Sequence, residues 1–246
     1  MAKTVLITGA SAGIGAATAR LAASKGYDVA INYNSDQAGA EAVAADVRAA
    51  GQRAIVIQAD VSDPDQITAL YATVDAEFGQ LDALVNNAGI VDQSEPVSQM
   101  SYERLRRMFD INVIGAILVA KEAVLRMQAQ GTGGAIVNLS SAAARLGSAN
   151  QYVDYAASKA AIDIFTKGLS DEVAGDNIRV TAIRPGLIET EIHAKGGQPG
   201  RATRLAHQVP MKRSGSAEEC ADAILYLMSD QASYVTGTVL DVSGGR

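Results

Sequence analysis

Short apolar segments alternate with longer segments of helical periodicity along almost the whole chain, and this alternation restricts the possible folds more than any other feature. Seven apolar segments are typical of strands, and the first of them, VLI, is apolar at every position. Strands that are apolar on both faces indicate a parallel sheet covered by helices on each side. The predicted strands are residues 5–7, 29–31, 54–57, 81–85, 135–139, 178–183 and 238–242. The pattern therefore predicts an α/β fold with three layers and a seven-stranded parallel sheet.

Glycines and capping residues mark where the predicted helices begin and end. Asp63-Pro64 supplies an N-cap and a first-turn proline, Ser101 caps a long helix, and Ser216 with Glu219 forms a capping box. The predicted helices cover about residues 14–25, 37–50, 64–78, 101–128 and 153–174, with a last helix after Ser216. The alternation of strand and helix continues without a linker, so we expect residues 1–246 to form a single domain.

Composition excludes several classes of protein. The chain has 246 residues, 48% of them apolar and 20% charged, which is typical of a folded globular protein. Its net charge of −6 disfavours a nucleic-acid partner. One cysteine, Cys220, suits a reducing compartment. The first residues do not resemble a secretory signal, and no apolar run reaches the roughly 18–20 residues of a membrane span. We expect a cytoplasmic protein without a membrane partner.

A glycine-rich turn follows the first strand. The segment 8–15 reads TGASAGIG and leads directly into a predicted helix. Glycines at such a turn let the backbone approach a pyrophosphate, and the N–H groups at the helix start can bind it. The alternative is a simple tight turn, because the spacing is not G-x-G-x-x-G. The candidate cofactor-binding residues of this turn are Gly9, Ser11, Gly13, Ile14 and Gly15.

The end of the second strand bears on the choice between the two nicotinamide cofactors. An acid at that position would bind the adenosine ribose and repel a 2′-phosphate, but the first carboxylate, Asp36, lies beyond the strand. Asn34, Ser35 and Ser11 can donate hydrogen bonds to a phosphate, although no arginine stands here. These residues favour NADP over NAD.

Two further strands end in residues suited to a nucleotide. Asp60-Val61 follows the third strand, where an acid can accept a hydrogen bond from an adenine amino group or merely cap the next turn. Asn87-Ala88-Gly89 follows the fourth strand, where small residues let a ribose lie against the sheet edge. Ligands bind at this carboxyl edge in open α/β sheets.

Tyr155 and Lys159 form the most informative pair for chemistry. Their i, i+4 spacing places both side chains on one face of a predicted helix. A tyrosine has an ordinary pKa of about 10, which a nearby ammonium group lowers. The pair can therefore serve acid–base catalysis, although a surface Tyr–Lys pair is the alternative.

Polar residues near this pair supply further candidates. Ser140 and Ser141 follow the fifth strand, where a hydroxyl can stabilise charge that develops on a substrate oxygen. Asn112 lies inside an apolar helical segment, where an amide must be hydrogen-bonded. It can hold a water that links Lys159 to solvent, or it can be a satisfied interior residue.

Taken together, six motifs in chain order resemble those of the short-chain dehydrogenase/reductase family over nearly the whole chain. They are TGASAGIG at 8–15, NNAG at 86–89, Asn112, Ser141, YAASK at 155–159 and RPG at 184–186. The resemblance implies a Rossmann-type sheet and a catalytic tetrad. In that tetrad Tyr155 is the general acid or base and Ser141 polarises the carbonyl. Lys159 binds the nicotinamide ribose and lowers the pKa of Tyr155, and Asn112 supports a proton relay.

The resemblance has further implications and one departure. Four residues would border the nicotinamide: Pro185, Gly186, Ile188 and Thr190. The family places its serine about one residue nearer the tyrosine than Ser141 is here, which leaves Ser140 as the alternative. A small insertion between residues 143 and 154 explains the difference. The family also implies a homotetramer that packs long helices and the last strand.

These features predict an NADP(H)-dependent oxidoreductase that acts on a small carbonyl or secondary-alcohol substrate. Alternatives are a 3-oxoacyl-carrier-protein reductase and an NAD-dependent sugar or polyol dehydrogenase. A dinucleotide-binding module without catalysis is disfavoured, because Tyr155 and Lys159 are both present. Residues 189–214 are rich in glycine and basic residues and form the expected substrate lid. His193 and His207 belong to this lid, and no metal site is expected.

Overall fold

Seven parallel strands form one continuous sheet at the centre of the protein. The computed structural model describes residues 2–246. The strand order is β3-β2-β1-β4-β5-β6-β7, which is the Rossmann-type order that the family resemblance implies. The strands are β1 (Lys3–Ile7), β2 (Tyr27–Tyr33), β3 (Ala54–Gln58), β4 (Ala83–Asn86), β5 (Gly134–Leu139), β6 (Ile178–Pro185) and β7 (Val239–Val242). The predicted fold class is confirmed, and most strands are longer than their apolar centres.

Helices cover both faces of the sheet. The helices are α1 (Gly13–Ser24), α2 (Gln37–Ala49), α3 (Pro64–Phe78), α4 (Tyr102–Phe109), α5 (Ala116–Gln130), α6 (Ala143–Leu146), α7 (Val153–Val173), α8 (Ile192–Lys195), α9 (Arg201–Leu205) and α10 (Ala217–Met228). Helices α1, α2 and α10 pack on one face, and α3, α5 and α7 pack on the other. No helix in the described part of the chain is long and apolar enough to span a membrane.

The two cores explain why strand β1 is apolar at successive positions. Val5 and Ile7 contact the core under α1, whereas Leu6 contacts the core under α3 and α5. All three side chains are fully buried. Each such side chain stabilises the fold by roughly 1.5–3 kcal/mol relative to an exposed one, so the sheet is held from both sides.

Helix starts follow the capping residues of the sequence. Asp63 accepts hydrogen bonds from the backbone N–H groups at the start of α3. Ser101 caps α4 in the same way, and Ser216 and Glu219 form the predicted capping box of α10. These caps orient α3 and α10 against the sheet.

The expected long helix at 101–128 is interrupted, which corrects that prediction. Helix α4 ends at Phe109, the residues Asp110–Gly115 form a π-helical turn, and α5 follows directly. Such turns accommodate one extra residue and occur frequently at functional sites. Here the turn carries Asn112, whose amide bonds a neighbouring loop instead of solvent.

Residues 189–214 are more ordered than their composition indicates. They contain the short helices α8 and α9, and a small apolar cluster of Leu187, Ala202 and Val209 packs beneath them. His207 is exposed, and the side chain of His193 lies outside the described part of the structure. Among the described residues no group of histidine, cysteine or carboxylate side chains could hold a metal ion.

The π-helical turn provides a test of packing. A Cβ added at Gly115 would lie 2.2 Å from the backbone oxygen of Val61, so Gly115→Ala forces the two backbones apart. We expect the free energy of unfolding to fall by about 1–3 kcal/mol, measured by urea denaturation. Gly168→Ala on the exposed face of α7 is the control, since it meets nothing within 4 Å. It should gain up to about 1 kcal/mol, and equal effects of both variants would contradict the packing argument.

Candidate active site

The predicted glycine turn connects β1 to α1 at the carboxyl edge of the sheet. Gly9 has a φ of +62°, and its N–H donates to Oδ1 of buried Asn32 at 3.2 Å. Gly15 lies beneath the turn, where a Cβ would stand 2.6 Å from Nδ2 of Asn87. Gly9, Gly13, Ser11 and Ile14 line the groove above this edge, whereas Gly15 permits close packing behind it.

The start of α1 is open to an anion. The residue before the helix is Ala12, whose side chain makes no capping hydrogen bond. The N–H groups of the first helical turn therefore have no side-chain partner, and the helix dipole adds a partial positive charge. An uncapped helix start beside a glycine turn fits the pyrophosphate of a dinucleotide.

Asn87 holds the turn in place. Its Nδ2 donates to the backbone oxygens of Thr8 at 2.8 Å and Gly9 at 2.9 Å. The Thr8 hydroxyl in turn accepts from the backbone N–H groups of Asn87 and Ala88. The amide of Asn87, a candidate cofactor-binding residue, thus bonds the protein itself, while Ala88 and Gly89 form the wall of the groove.

The adenosine end of the groove is lined by neutral and acidic groups. Nδ2 of Asn34 donates to Oδ2 of Asp60 at 3.2 Å, and Oδ1 of Asp60 accepts from the N–H and hydroxyl of Ser62. Asp60 therefore caps the following turn, as one of the two alternatives for this residue stated. Asp36 caps α2 by accepting from Gly39 N–H at 3.0 Å. The remaining predicted residues on this wall are Ser35 and Val61.

Tyr155 and Lys159 project together from α7 into a second cavity. Nζ of Lys159 lies 5.7 Å from the centroid of the Tyr155 ring and donates to the Leu139 backbone oxygen at 2.7 Å. Lys159 is 4% exposed. Lys159 is thus buried against the end of β5, beside a half-buried Tyr155, and the alternative of a surface pair is wrong.

Burial dominates the protonation of both groups. It raises the pKa of Tyr155 above its ordinary value, and hydrogen bonding with Ser141 opposes the rise. Burial also lowers the pKa of Lys159 to about 8, with Asp163 opposing the change. Both groups therefore carry their protons at neutral pH, so Tyr155 is a proton donor there. The expected lowering of the pKa of Tyr155 by Lys159 is not found, because burial raises that pKa and the group that opposes the rise is Ser141.

The two serines after β5 have different environments. The hydroxyl of Ser140 is buried and donates to the Lys159 backbone oxygen at 3.1 Å. Ser141 lines the cavity, accepts from Ala143 N–H at 3.1 Å, and lies beside Tyr155. The geometry favours Ser141 over Ser140 as the hydroxyl that meets a substrate.

Asn112 lies behind the cavity and has all its polar atoms engaged. Its Oδ1 accepts from Ile90 N–H at 2.8 Å, and its Nδ2 donates to the Ile90 oxygen at 2.9 Å and to Ser158 Oγ at 3.2 Å. Its Oδ1 and the Lys159 ammonium both stand close to Gly89, since a Cβ there would lie 3.2 and 3.3 Å from them. Asn112 is a satisfied interior residue, and it also reaches the surroundings of Lys159.

The two cavities form one continuous groove. Ile14, Asn87, Gly89 and Thr190 line both of them. The predicted nicotinamide neighbours Pro185, Gly186, Ile188 and Thr190 line the cavity that contains Tyr155. Both ends of an extended dinucleotide therefore have a place in the structure.

Several residues of the site were not predicted from the sequence. Asn32 ties β2 to the glycine turn and to β3, and Thr8 ties that turn to β4. Tyr152 and Arg201 line the cavity beside Tyr155. A polar residue inside an apolar strand is a signal for Asn32, whereas no sequence pattern distinguishes Arg201 from the other basic residues of the lid.

This geometry defines an oxidoreductase that binds a nicotinamide dinucleotide, and similarities to known proteins agree. A family model described as enoyl-(acyl carrier protein) reductase matches residues 9–246. The uncharacterized oxidoreductase YgfF of Escherichia coli is 51% identical over 98% of this chain and 98% of its own length. The cis-4-hydroxycyclohexanecarboxylate dehydrogenase of Sinomonas cyclohexanicum is 42% identical over 99% of this chain and 96% of its own.

A solved structure agrees as well. The 3-ketoacyl-(acyl-carrier-protein) reductase from Brucella melitensis, crystallised with NADH, superposes with a TM-score of 0.91. It is 33% identical, and the match covers 99% of this chain and 98% of that one. The chain belongs to the short-chain dehydrogenase/reductase family and is an enzyme that acts on CH–OH groups of small molecules.

Burial of Lys159 gives a pH-dependent prediction. Its pKa of about 8 lies below the ordinary 10.5, so the unfolded state binds more protons between these values and stability rises with pH. Lys159→Met removes this penalty. At about pH 7 the free energy of unfolding of the variant should exceed that of the wild type by on the order of 1–3 kcal/mol. This gap in the free energy of unfolding should narrow by about pH 10. Urea denaturation at both pH values measures it, with exposed Lys121→Met as control. A gap that does not change with pH would refute the argument.

Proposed function

We propose that the protein is an NADP(H)-dependent oxidoreductase that transfers a hydride between the nicotinamide and a carbonyl or secondary alcohol, with Tyr155 as general acid and base. One observation carries the proposal. Ser141, Tyr155 and Lys159 meet in a cavity that is continuous with a groove suited to a dinucleotide. An accessible phenol beside an ammonium group and a hydroxyl has no structural purpose at this edge of the sheet.

Each part of the cofactor would contact a different set of residues in the groove. The glycine turn and the start of α1 would hold the pyrophosphate, with Asn34, Ser35 and Asp60 near the adenosine and Val61 beside the adenine. Lys159 would bind the nicotinamide ribose. Four residues after β6 would border the nicotinamide ring: Pro185, Gly186, Ile188 and Thr190.

Each polar residue of the cavity has a separate role in the reduction. A reduced nicotinamide held in the groove would supply the hydride that adds to the carbonyl carbon. Ser141 donates a hydrogen bond to the carbonyl oxygen, and Tyr155 transfers its phenolic proton to that oxygen as the C=O double bond becomes C–OH. In the oxidation the phenolate takes the hydroxyl proton back. The Lys159 ammonium stabilises the phenolate, and Asn112 supports the relay that restores the proton.

Tyr155→Phe tests the chemical role. The variant keeps the ring but lacks the transferable proton, so kcat should fall at least about 100-fold while the Kd for NADPH changes little. NADPH oxidation with a panel of activated ketones measures the rate, and fluorescence titration measures the Kd. Tyr226→Phe, at a distant exposed tyrosine of α10, is the control.

The outcomes separate the two classes of function. Near-normal turnover in Tyr155→Phe would remove the mechanism. Binding of NADPH without turnover of any ketone by the wild type would instead support a dinucleotide-binding module.

Support for NADP comes from the end of β2. The residues there are Asn34 and Ser35. The carboxylate of Asp36 is engaged with Gly39 N–H, and that of Asp60, which accepts from Asn34, is engaged with Ser62. NAD is the alternative, since the relative from Brucella melitensis was crystallised with NADH.

Asn34→Asp tests the cofactor preference. A carboxylate at this position would repel a 2′-phosphate and accept hydrogen bonds from an unmodified ribose. The ratio of kcat/KM for NADPH to that for NADH should exceed one in the wild type and fall at least about 10-fold in the variant. Asn34→Ala, which adds no charge, should change the ratio less. A wild type that prefers NADH would disprove the assignment.

Two substrate classes have support from similar proteins. The Brucella relative favours 3-oxoacyl-carrier-protein reduction, although Thr132 and Asp176 stand where such reductases tend to have arginines. The Sinomonas relative favours an alicyclic hydroxy acid. Oxidation of a sugar or polyol with NAD is disfavoured by the apolar residues of the cavity, among them Val91, Leu146 and Leu187.

The proposal also includes the oligomeric state, the substrate lid and the cellular location. Exposed apolar side chains on the long helices and the last strand support a homotetramer: Ile114, Leu125, Ile164 and Leu240. Residues 189–214 act as the substrate lid of a single domain. The single cysteine, Cys220, supports a cytoplasmic location.

A further inference from the structure

Arg201 lies at the start of α9 and lines the cavity that contains Tyr155. Its guanidinium carbon stands 5.4 Å from the centroid of the Tyr152 ring, which is itself buried. The arginine is half-buried, and burial lowers its pKa from the ordinary value. A cation in such a place needs a compensating partner, because removing a charge from water is costly.

No carboxylate of the protein provides that partner. Within residues 2–246 the guanidinium of Arg201 forms no salt bridge. Its Nη1 donates to Oε1 of Gln198 and its Nη2 donates to Oε1 of Gln151, each at 2.7 Å. Both acceptors are neutral amides. An arginine has five N–H donors, so most of its donors remain available to a ligand.

The charged side chains in the lining of this cavity are all cationic. Its described lining contains Lys159, Arg201 and Arg246 but neither aspartate nor glutamate. Glu191, the nearby acid of the lid, lines the nucleotide groove instead. Arg246 further disfavours the charged state of Arg201, so the two arginines together favour an anion between them and the reacting centre.

Much of the remaining lining of this cavity is apolar. Tyr155, Ser141 and Lys159 form one end, and Arg201 lies on the lid. The other lining residues include Val91, Leu146, Leu187 and Ile192. A ligand that reaches both ends therefore has an apolar body between two oxygen-bearing groups.

We propose that Arg201 binds a carboxylate of the substrate, which is a keto acid or hydroxy acid whose reacting carbon is separated from that carboxylate by an apolar spacer. The inference rests on the proposed redox function and names its substrate class. Arginine suits this role because its planar fork matches a carboxylate. Arg201 is thus a binding residue that sets specificity, and the lid brings it to the substrate.

Binding of hexanoate tests the contact without any chemistry. Titration calorimetry on the NADP⁺-loaded protein compares hexanoate with the neutral hexanamide. Hexanoate should bind more tightly, and Arg201→Gln should weaken it about 10- to 100-fold while leaving hexanamide within about twofold. Arg48→Gln is the control, since Arg48 is an exposed arginine of α2 that does not line the cavity.

Turnover provides the second measurement. The wild type should reduce 5-oxohexanoate with a higher kcat/KM than its methyl ester. Arg201→Gln should lose most of this preference through a higher KM for the acid, and Arg201→Lys should restore part of it. Pyruvate, whose carboxylate adjoins the carbonyl, should be a poor substrate because it cannot reach both ends.

The results distinguish this inference from the proposed function. If the enzyme reduces the ester as well as the acid, and Arg201→Gln weakens neither ligand selectively, the carboxylate contact is disproved while the redox function stands. If no ketone is turned over but hexanoate binds through Arg201, the anion site stands and the redox function fails. A third outcome is that Arg201→Gln lowers kcat/KM for acetoacetyl thioesters and leaves kcat/KM for keto acids unchanged. That result would overturn the carboxylate assignment in favour of a contact with the phosphate of a carrier.

Discussion

The whole site depends on one constraint, which is that parallel strands present their carboxyl ends at a single edge of the sheet. Strand β1 pairs with β2 on one side and with β4 on the other, with Ile7 opposite both Ile31 and Val85. The chain leaves toward opposite faces on the two sides of β1, so a crevice opens where the order reverses. The glycine turn, the segment with Asn34 and Ser35, and Ser141 all follow strands at this edge, and α7 brings Tyr155 and Lys159 to it.

Three asparagine amides, two of them buried and that of Asn87 half-buried, give these segments their positions. Asn32, Asn87 and Asn112 each bond backbone groups of a neighbouring segment where the strand ladders have ended. An unpaired polar group in such a place costs roughly 1–3 kcal/mol, so each amide favours one arrangement of its loop. Asn32 and Asn87 thereby hold the glycine turn in place, and Asn112 bonds Ser158 of α7, next to Lys159. The cost of an unpaired amide also explains why short, glycine-rich segments can form a well-defined groove.

Structure that follows from a periodic apolar pattern or from a local capping residue could be predicted from the sequence. Structure that depends on contacts between residues far apart in the chain could not. The strands and most helix starts follow from apolar runs and caps, and Tyr155 and Lys159 follow from i, i+4 spacing. The π-helical turn was missed, because apolar residues on both sides of Asn112 keep a helical pattern. The burial of Lys159, the choice of Ser141 over Ser140 and the place of Arg201 depend on contacts across the fold. No pattern along the chain encodes such contacts.

The π-helical turn at Asp110–Gly115 also changes the direction in which one continuous helix faces. Each residue advances an α-helix by about 100°, so one additional residue in a turn rotates everything after it by about that angle. Helix α4 can therefore direct Arg104 to Asp154 on α7, while α5 directs Val119 into the core. One additional residue thus rotates the contact face of the helix. The salt bridge of α4 and the core packing of α5 can therefore occur on consecutive helices without a loop between them.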